Sequence, residues 1–307
     1  MATTLREQPP TRAPAPAVPA GRRRGGLGAG GERAIDVFNH AFLLVWGLLT
    51  ALPLLWAVLS SFKTDAEILG DPWGLPAQLR FDNWARAWSH AHIGQYFLNS
   101  VVVVAGSLTL TMLLGAMAAY ALARYDFPGN RLVYFLFVGG MMFPVVLALV
   151  PLFFVVRNLG LHNTLPGLML VYAAYSLPFT VFFLTAFFRT LPTSIAEAGL
   201  IDGCGPFGLF FRVMLPMARP GLVSVAIFNF LGQWNQYVLP VVLIQGEGAE
   251  RRYVLAQGLA ALAVSEGYAG DYSRLFAGLT IAMLPVLVVY AVFQRQVQSG
   301  LTAGHLK

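Results

Sequence analysis

The stretch Thr193 to Leu222, TSIAEAGLIDGCGPFGLFFRVMLPMARPGL, is a polar island between two long apolar segments, and its reading decides the fold. It predicts two short helices. Ser194 and Glu197 have capping-box spacing, in which hydroxyl and carboxylate each satisfy an exposed amide at a helix start. Gly203 is expected to end the first helix in the left-handed geometry that costs glycine least. Pro206 suits the first turn of a second helix, whose Phe207, Phe210, Phe211 and Met214 fall at i, i+3, i+4 and i+7 on one apolar face. Pro216 is expected to stop that helix. Spacing alone leaves two readings open, an amphipathic connector lying on a membrane and a knob that docks a partner subunit.

Composition places both ends of the stretch in a membrane protein. Hydrophobic residues make up 57% of the 307 residues and charged ones 11%, where a soluble domain carries about a quarter charged side chains. The net charge of +6 does not point to nucleic acid, because much of the excess sits in one tail, at Arg6, Arg12, Arg22, Arg23, Arg24 and Arg33. In a membrane protein such a tail sets orientation. Cys204 is the one cysteine, which excludes an internal disulfide framework and a cysteine metal cluster.

Residues 1–33 are rich in Ala, Pro, Gly and Arg without apolar periodicity, so a disordered cytoplasmic tail is expected there and a transmembrane domain over 34–307. The first apolar run, near 41–59, is long for a signal-peptide core and no small-residue cleavage site follows, so it reads as a retained anchor. Five further runs, near 97–123, 133–156, 168–188, 222–244 and 275–293, are each long enough to cross roughly 30 Å of hydrocarbon. The expected fold class is therefore all-α, a polytopic membrane protein with six transmembrane helices and both termini on one side. With the N-terminus inside, thirteen Lys and Arg fall in inner segments against seven outside. That asymmetry predicts cytoplasmic termini and a cytoplasmic loop at 193–220. The outer connections, Ser61 to Tyr96 and Gln245 to Arg274, carry Trp73, Trp84, Trp88, Tyr253, Tyr268 and Tyr272, residues that favour lipid headgroups or an external partner.

What the runs lack narrows the function. None contains Asp, Glu, Lys, Arg or His, which counts against a proton- or ion-coupled carrier working alone, since the coupling ion must bind something. A P-loop needs a lysine after its glycines, and Lys63 and Lys307, the two lysines present, lack that context. No Ser/His/Asp or metal constellation presents itself: His90 and His92 are two apart in an outer connection, and His40, His162 and His305 are isolated. No catalytic or metal-binding residue, and no cofactor on this chain, is expected. Gly115 and Ala119 have the spacing that lets helices approach closely. Pro144, Pro151, Pro178, Pro240 and Pro285 interrupt the runs, freeing backbone groups that need protein or a water-filled cavity around them.

The fifth run is the polar exception, with Asn229, Gln233, Trp234, Asn235 and Gln236 in NFLGQWNQYVLP. At about 100° per residue Asn229, Gln233 and Gln236 share one face, while Trp234 and Asn235 point away from it. Neutral amides beside Trp234 and Tyr237 suit an uncharged polyhydroxyl solute along a substrate pathway. The same amides also suit hydrogen-bonded helix packing.

EAGLIDGCGPFGLFFRVMLP resembles the EAA loop of ABC importer permeases: Glu-Ala-Ala, three residues, Gly, nine residues, Ile, one residue, Leu-Pro. Glu197, Ala198, Gly203, Leu215 and Pro216 match at the right spacing, Gly199 stands for the second Ala and Val213 for Ile. Gly199 should loosen the first helix by about 1 kcal/mol. NSVVVVAGSLTLTMLLGAMAAYALARYDFPG, NLGLHNTLPGLMLVYAAYSLPF, FLGQWNQYVLP and FQRQVQSGLTAGHLK extend the resemblance over nearly everything after the tail, toward the carbohydrate-uptake branch and its maltose permease component G type. The resemblance implies a type I ABC importer permease fold with a cytoplasmic coupling-helix loop. It further implies a second permease subunit forming a heterodimer, two ATP-binding subunits that hold ATP and Mg, and an extracellular solute-binding protein. Glu197, Ala198, Gly199, Asp202, Gly203, Phe207, Phe210, Leu215 and Pro216 are then the expected coupling residues. Peptides or another polar solute, and a stand-alone secondary carrier, remain the rival readings.

Overall fold

The computed structural model describes the backbone of residues 29–302 and the side chains of 35–265 and 270–296. The expected tail lies outside the described residues as far as residue 28, as does the side chain of Tyr268. Among the described residues every regular element is helical: α1 (Ala29–Ser60), α2 (Asp65–Gly70), α3 (Asp82–Ser89), α4 (Ile93–Arg124), α5 (Asn130–Met142), α6 (Val145–Asn158) and α7 (Leu165–Thr190). There follow α8 (Thr193–Ile201), α9 (Pro206–Leu209), a π turn (Phe210–Met214), α10 (Leu215–Met217), α11 (Arg219–Trp234), α12 (Val238–Leu243), a 3-10 turn (Ala249–Arg252), α13 (Leu255–Ala269) and α14 (Tyr272–Thr302). The chain divides into two units, one up to Pro53 and one from Leu54. In the first, the α1 rings of Phe38, Phe42 and Trp46 stack along one side of the helix.

Four helices are long and apolar enough to cross a membrane, over Ile35–Ser60, Ile93–Arg124, Leu165–Thr190 and Tyr272–Gln296, or up to six spans if each bent pair counts as one. One bent pair makes up the third apolar run, and the other joins the loop helices α9–α10 to α11 at the start of the fifth. The run near 133–156 is two helices, α5 and α6, meeting at 106°. The cause is local: Phe143 precedes Pro144, and the proline ring pushes it out of the helical region to ψ 121. The fifth run breaks at Asn235–Tyr237 between α11 and α12, and α9–α10 meets α11 at 77°.

The second unit is organised on α4 and α7, its most closely paired helices. Gly106 faces Met169, Gly115 faces Thr180, and the Arg124 guanidinium donates to the Leu191 carbonyl at 2.6 Å, so the two helices run in the same direction. The small-residue spacing at Gly115 and Ala119 is used here. A Cβ built on Gly115 would sit 2.5 Å from Thr180 Cγ2. The threonine cannot swing away, because its hydroxyl donates to the Ser176 carbonyl and accepts from Asn229. Gly115→Val should therefore lower stability by about 1–3 kcal/mol, read as a lower melting temperature of the purified protein. An unchanged melting temperature would mean that α4 and α7 part freely.

The connection from Ser61 to Tyr96 is more ordered than its composition suggests. Thr64 and Glu67 form a capping box on α2, and those backbone and hydroxyl donors, with the Ala77 amide, hold the Glu67 carboxyl below its ordinary range. Asn83 donates to the Ser61 and Lys63 carbonyls and accepts from Arg86, which reaches Asp271 at 3.0 Å. Ser273 is bonded to both Arg86 and Asp65. This network ties α2 and α3 to the start of α14.

Candidate functional site

Two features stand at different places along the α4/α7 pair, a loop at its C-terminal end and a cleft part-way along it. The loop begins where Leu191 and Pro192 end α7 and α8 starts. Pro192 is the N-cap and no side chain caps the helix, so the Ser194–Glu197 capping box is not formed. Pro192 starts the helix at Thr193, which moves Ser194 from the cap into the first turn. At the other end Gly203 has φ +81, the Gly203 amide donates to the Leu200 carbonyl and the Cys204 amide to Gly199. These two bonds are the Schellman pair, and the left-handed residue between them is the one expected from sequence.

Pro206 occupies the first turn of α9 as anticipated, but the helix does not continue regularly. From Phe210 to Met214 the ladder widens to a π turn, with the Leu215 amide bonded to the Phe210 carbonyl. The wider turn splits the expected apolar stripe. Phe210 and Met214 are buried, whereas Phe207 is 72% exposed and Phe211 is also exposed. Pro216 lies inside α10, which ends at Met217 with Ala218 as its cap, not at the proline. Pro216 stands in the first turn of α10, directly after the π turn, where a missing donor is tolerated.

Gly199 is buried, and a Cβ there would lie 2.7 Å from Leu209 Cδ1. The residue expected to loosen α8 is thus the one that lets α9 pack against it. Leu209, Phe210, Met214 and Ala218 join Ala116, Ala119, Tyr120, Leu184, Phe188 and Val225 in one core cluster. The Phe210 ring stands 5.1 Å from that of Tyr120 and 6.5 Å from that of Phe188. The lower half of the loop is therefore built into the ends of α4 and α7. Its outward tip carries Leu200, Ile201 (85% exposed) and Phe207, with Glu197, Ala198 and Asp202 also exposed. Among the described residues neither Glu197 nor Asp202 makes an ion pair. The tip is thus apolar and rimmed by two carboxylates.

The cleft, of about 650 Å³, is lined by the two helix breaks in the apolar runs. Gly140 to Val146 contribute the α5/α6 corner, Gln236 the α11/α12 break, and Tyr172, Ser176, Phe228, Asn229 and Gln233 the walls. Irregular backbone within an apolar run requires such a setting, buried in protein or facing a polar cavity. Asn229 donates to Thr180 Oγ1 at 2.8 Å; Gln233 accepts from Ser107 Oγ at 2.7 Å and donates to Ser176 Oγ at 3.0 Å. The two amides thus join α11 to both α4 and α7 while lining the cleft. Their hydroxyl partners were not singled out from sequence. The recoverable signal was that Ser176 and Thr180 stand four apart on one face of α7.

Trp234 and Asn235 do not line this cleft. Trp234 is buried among Phe97, Phe230, Leu255 and Ile281 and donates to the Ala282 carbonyl, and Asn235 is exposed, its amide bonded to the Leu231 carbonyl at the end of α11. The 100° geometry placed both off the amide face. The Tyr172 hydroxyl, also at the cleft, has no hydrogen-bond partner among the described residues.

The profile of the family described as "Binding-protein-dependent transport system inner membrane component" matches residues 111–302. The chain is 53% identical over 276 residues to the diacetylchitobiose uptake system permease protein NgcG of Streptomyces coelicolor, covering 90% of each chain. It is 34% identical over 256 residues to the trehalose transport system permease protein SugB of Mycobacterium tuberculosis, covering 83% of this chain and 92% of that one. A bacterial ABC transporter involved in the import of the acidic polysaccharide alginate contains a chain that superposes with a TM-score of 0.74 at 20% identity, covering 88% of this chain and 99% of that one. That last likeness is one of fold.

Proposed function

Because the chain belongs to the family of binding-protein-dependent transport system inner membrane components, we propose that it is the permease subunit of an ATP-driven importer for a sugar or oligosaccharide. The observation that carries this reading is the loop, which exposes an unpartnered apolar tip and buries its base in α4 and α7. The sugar class rests on the relatives, named for diacetylchitobiose and trehalose uptake. It also rests on a cleft lined by uncharged amides, hydroxyls and aromatic rings, groups suited to a polyhydroxyl solute.

In this mechanism the chain performs no covalent chemistry. Two ATP-binding subunits hold ATP and Mg, a second permease subunit completes the membrane path, and an extracellular solute-binding protein delivers the sugar. Closure of the ATPase pair presses on Glu197, Ala198, Asp202 and Phe207. Gly199 and Gly203 give α8 its packing and its end, and Phe210, Leu215 and Pro216 carry the displacement into the bundle. Since the loop base shares one core with α4 and α7, the movement reaches the cleft as a rigid shift, exposing Asn229, Gln233, Gln236 and Tyr172 to alternate sides. The excess of Lys and Arg in alternate connections supports cytoplasmic termini and a cytoplasmic loop.

The test is uptake of labelled disaccharides into vesicles carrying the whole transporter. ATP and the binding protein are expected to be required and an uncoupler to have no effect; ATP-independent, uncoupler-sensitive uptake would indicate a secondary carrier, and saturable uptake of peptides alone would replace the solute class. Gly203→Val, forced to φ +81 at a cost of about 1–2 kcal/mol, should lower both ATPase co-purification and uptake. Unchanged transport by that variant would remove the loop from the coupling path.

A further inference from the structure

The connection between α2 and α3 carries a second unpartnered apolar surface, far from the loop and the cleft. From Pro72 to Leu79, PWGLPAQL contains no charged residue, and it is flanked by Asp71 and Arg80. Trp73 is 71% exposed and Leu75 80% exposed, and Leu69, Leu79 and Phe81 are exposed beside them. Such a segment in water would ordinarily be mobile and polar. This one is pinned from beneath. Trp56 Nε1 and Lys63 Nζ both donate to the Pro72 carbonyl, at 2.7 and 2.9 Å, and Lys63 also reaches the Asp71 carbonyl. The Ala77 amide is held by Glu67, the Gly74 amide by Asp71, and the Arg80 amide by the Phe62 carbonyl. The Pro72 carbonyl and the Gly74 and Ala77 amides are thus held from the protein side while the apolar side chains face outward, and the other backbone groups of the segment need the water and headgroups that a membrane interface supplies.

The depth of the segment follows from its ring contacts. Trp73 stands 6.0 Å from Trp56, and Trp56 stands 5.0 Å edge-on to Phe276. Trp56 lies four residues before the end of α1 and Phe276 four residues after the start of α14, each about 6 Å inside the end of its helix. Trp73 therefore lies within about one helical turn of where α1 ends and α14 begins. Leu54 and Leu55, which precede Trp56 on α1, are also exposed and apolar.

We propose that Pro72–Leu79 is an interfacial anchor, seated on the lipid at the boundary between headgroups and hydrocarbon, and that Lys63 and Trp56 hold it in place. The anchor fixes the outer ends of α1 and α14 relative to the bilayer, giving the moving elements a stationary frame. The test uses a Cys204→Ser background, which removes the one cysteine, with Leu75→Cys or Leu79→Cys compared against Glu247→Cys, an exposed position on another connection. The assembled transporter is placed in phospholipid vesicles. A membrane-impermeant maleimide is expected to label positions 75 and 79 roughly tenfold more slowly than 247, and nitroxides there to collide with oxygen in preference to a nickel chelate. Labelling as fast as at 247 with chelate-dominated collisions overturns the proposal. Protection that arises only on adding the solute-binding protein overturns it too, by making the patch a protein-docking surface.

Discussion

Replacing Ile201 and Phe207 together by aspartate is expected to abolish ATP-driven uptake while leaving the chain folded. Both side chains lie at the tip of the loop and both are mostly exposed, so their loss removes little from the core. Exposed substitutions away from caps and networks usually change stability by within about 0.5 kcal/mol. Binding is another matter. Apolar and aromatic anchors at the centre of an interface are worth about 2–4 kcal/mol each, and the new carboxylates would join Glu197 and Asp202 in a cluster of like charge. A combined loss of about 4 kcal/mol weakens docking by roughly a thousandfold. The measurement is recovery of the ATPase subunits with the affinity-purified permease, together with the melting temperature and sugar uptake. Normal melting with lost ATPase and lost uptake is expected. Full recovery of both functions would place the docking surface elsewhere on the chain.

The second large effect is expected from Gln233→Leu. Gln233 is bonded to both α4, through Ser107, and α7, through Ser176. Interhelical hydrogen bonds in membranes contribute about 0.6–1.7 kcal/mol each, and Ser107 retains its bond to the Val103 carbonyl. The loss of stability should therefore be modest. The loss of transport should be larger, at least about tenfold in kcat/KM, equivalent to about 1.4 kcal/mol in the transition state for translocation. The amide is absent from the cleft wall and the node joining three helices is open. Asn229→Leu tests the same wall one turn away. Uptake at the wild-type level, with only a lower melting temperature, would reduce both amides to helix glue.

Much of the loop was legible because its signals are local. A glycine that must be left-handed and a proline that must be early in a helix are properties of one residue and its neighbours, and Gly203 and Pro206 stand where those rules put them. The 3.6-residue period likewise separated Asn229, Gln233 and Gln236 from Trp234 and Asn235. The π turn was not legible, because a ladder that slips by one residue is chosen by what the side chains meet, here the Tyr120 and Phe188 rings around Phe210. The same holds for Gly199, whose meaning depends on Leu209 ten residues later. The two breaks were half legible. Pro144 was recognised as an interruption, but whether a proline kinks a span or turns it by 106° depends on the helices packed around it. Composition treated the connection before α4 as loop, and it proved to hold two helices and an ion-pair network because Lys63, Asn83 and Arg86 find partners far along the chain.

The π turn also recasts what the spacing of the loop motif measures. A π turn is an ordinary helix with one residue too many. The nine residues between Gly203 and Val213 therefore include a surplus one, absorbed without changing where the helix begins or ends. Deleting one residue from Phe211 to Val213 would return the ladder to its usual pitch and leave the helix beyond it facing as before. Phe210 and Met214 would then stand three apart, still on one face of the helix. The loop therefore has one residue of slack in its length, and it lies where the helix meets the Tyr120 and Phe188 rings.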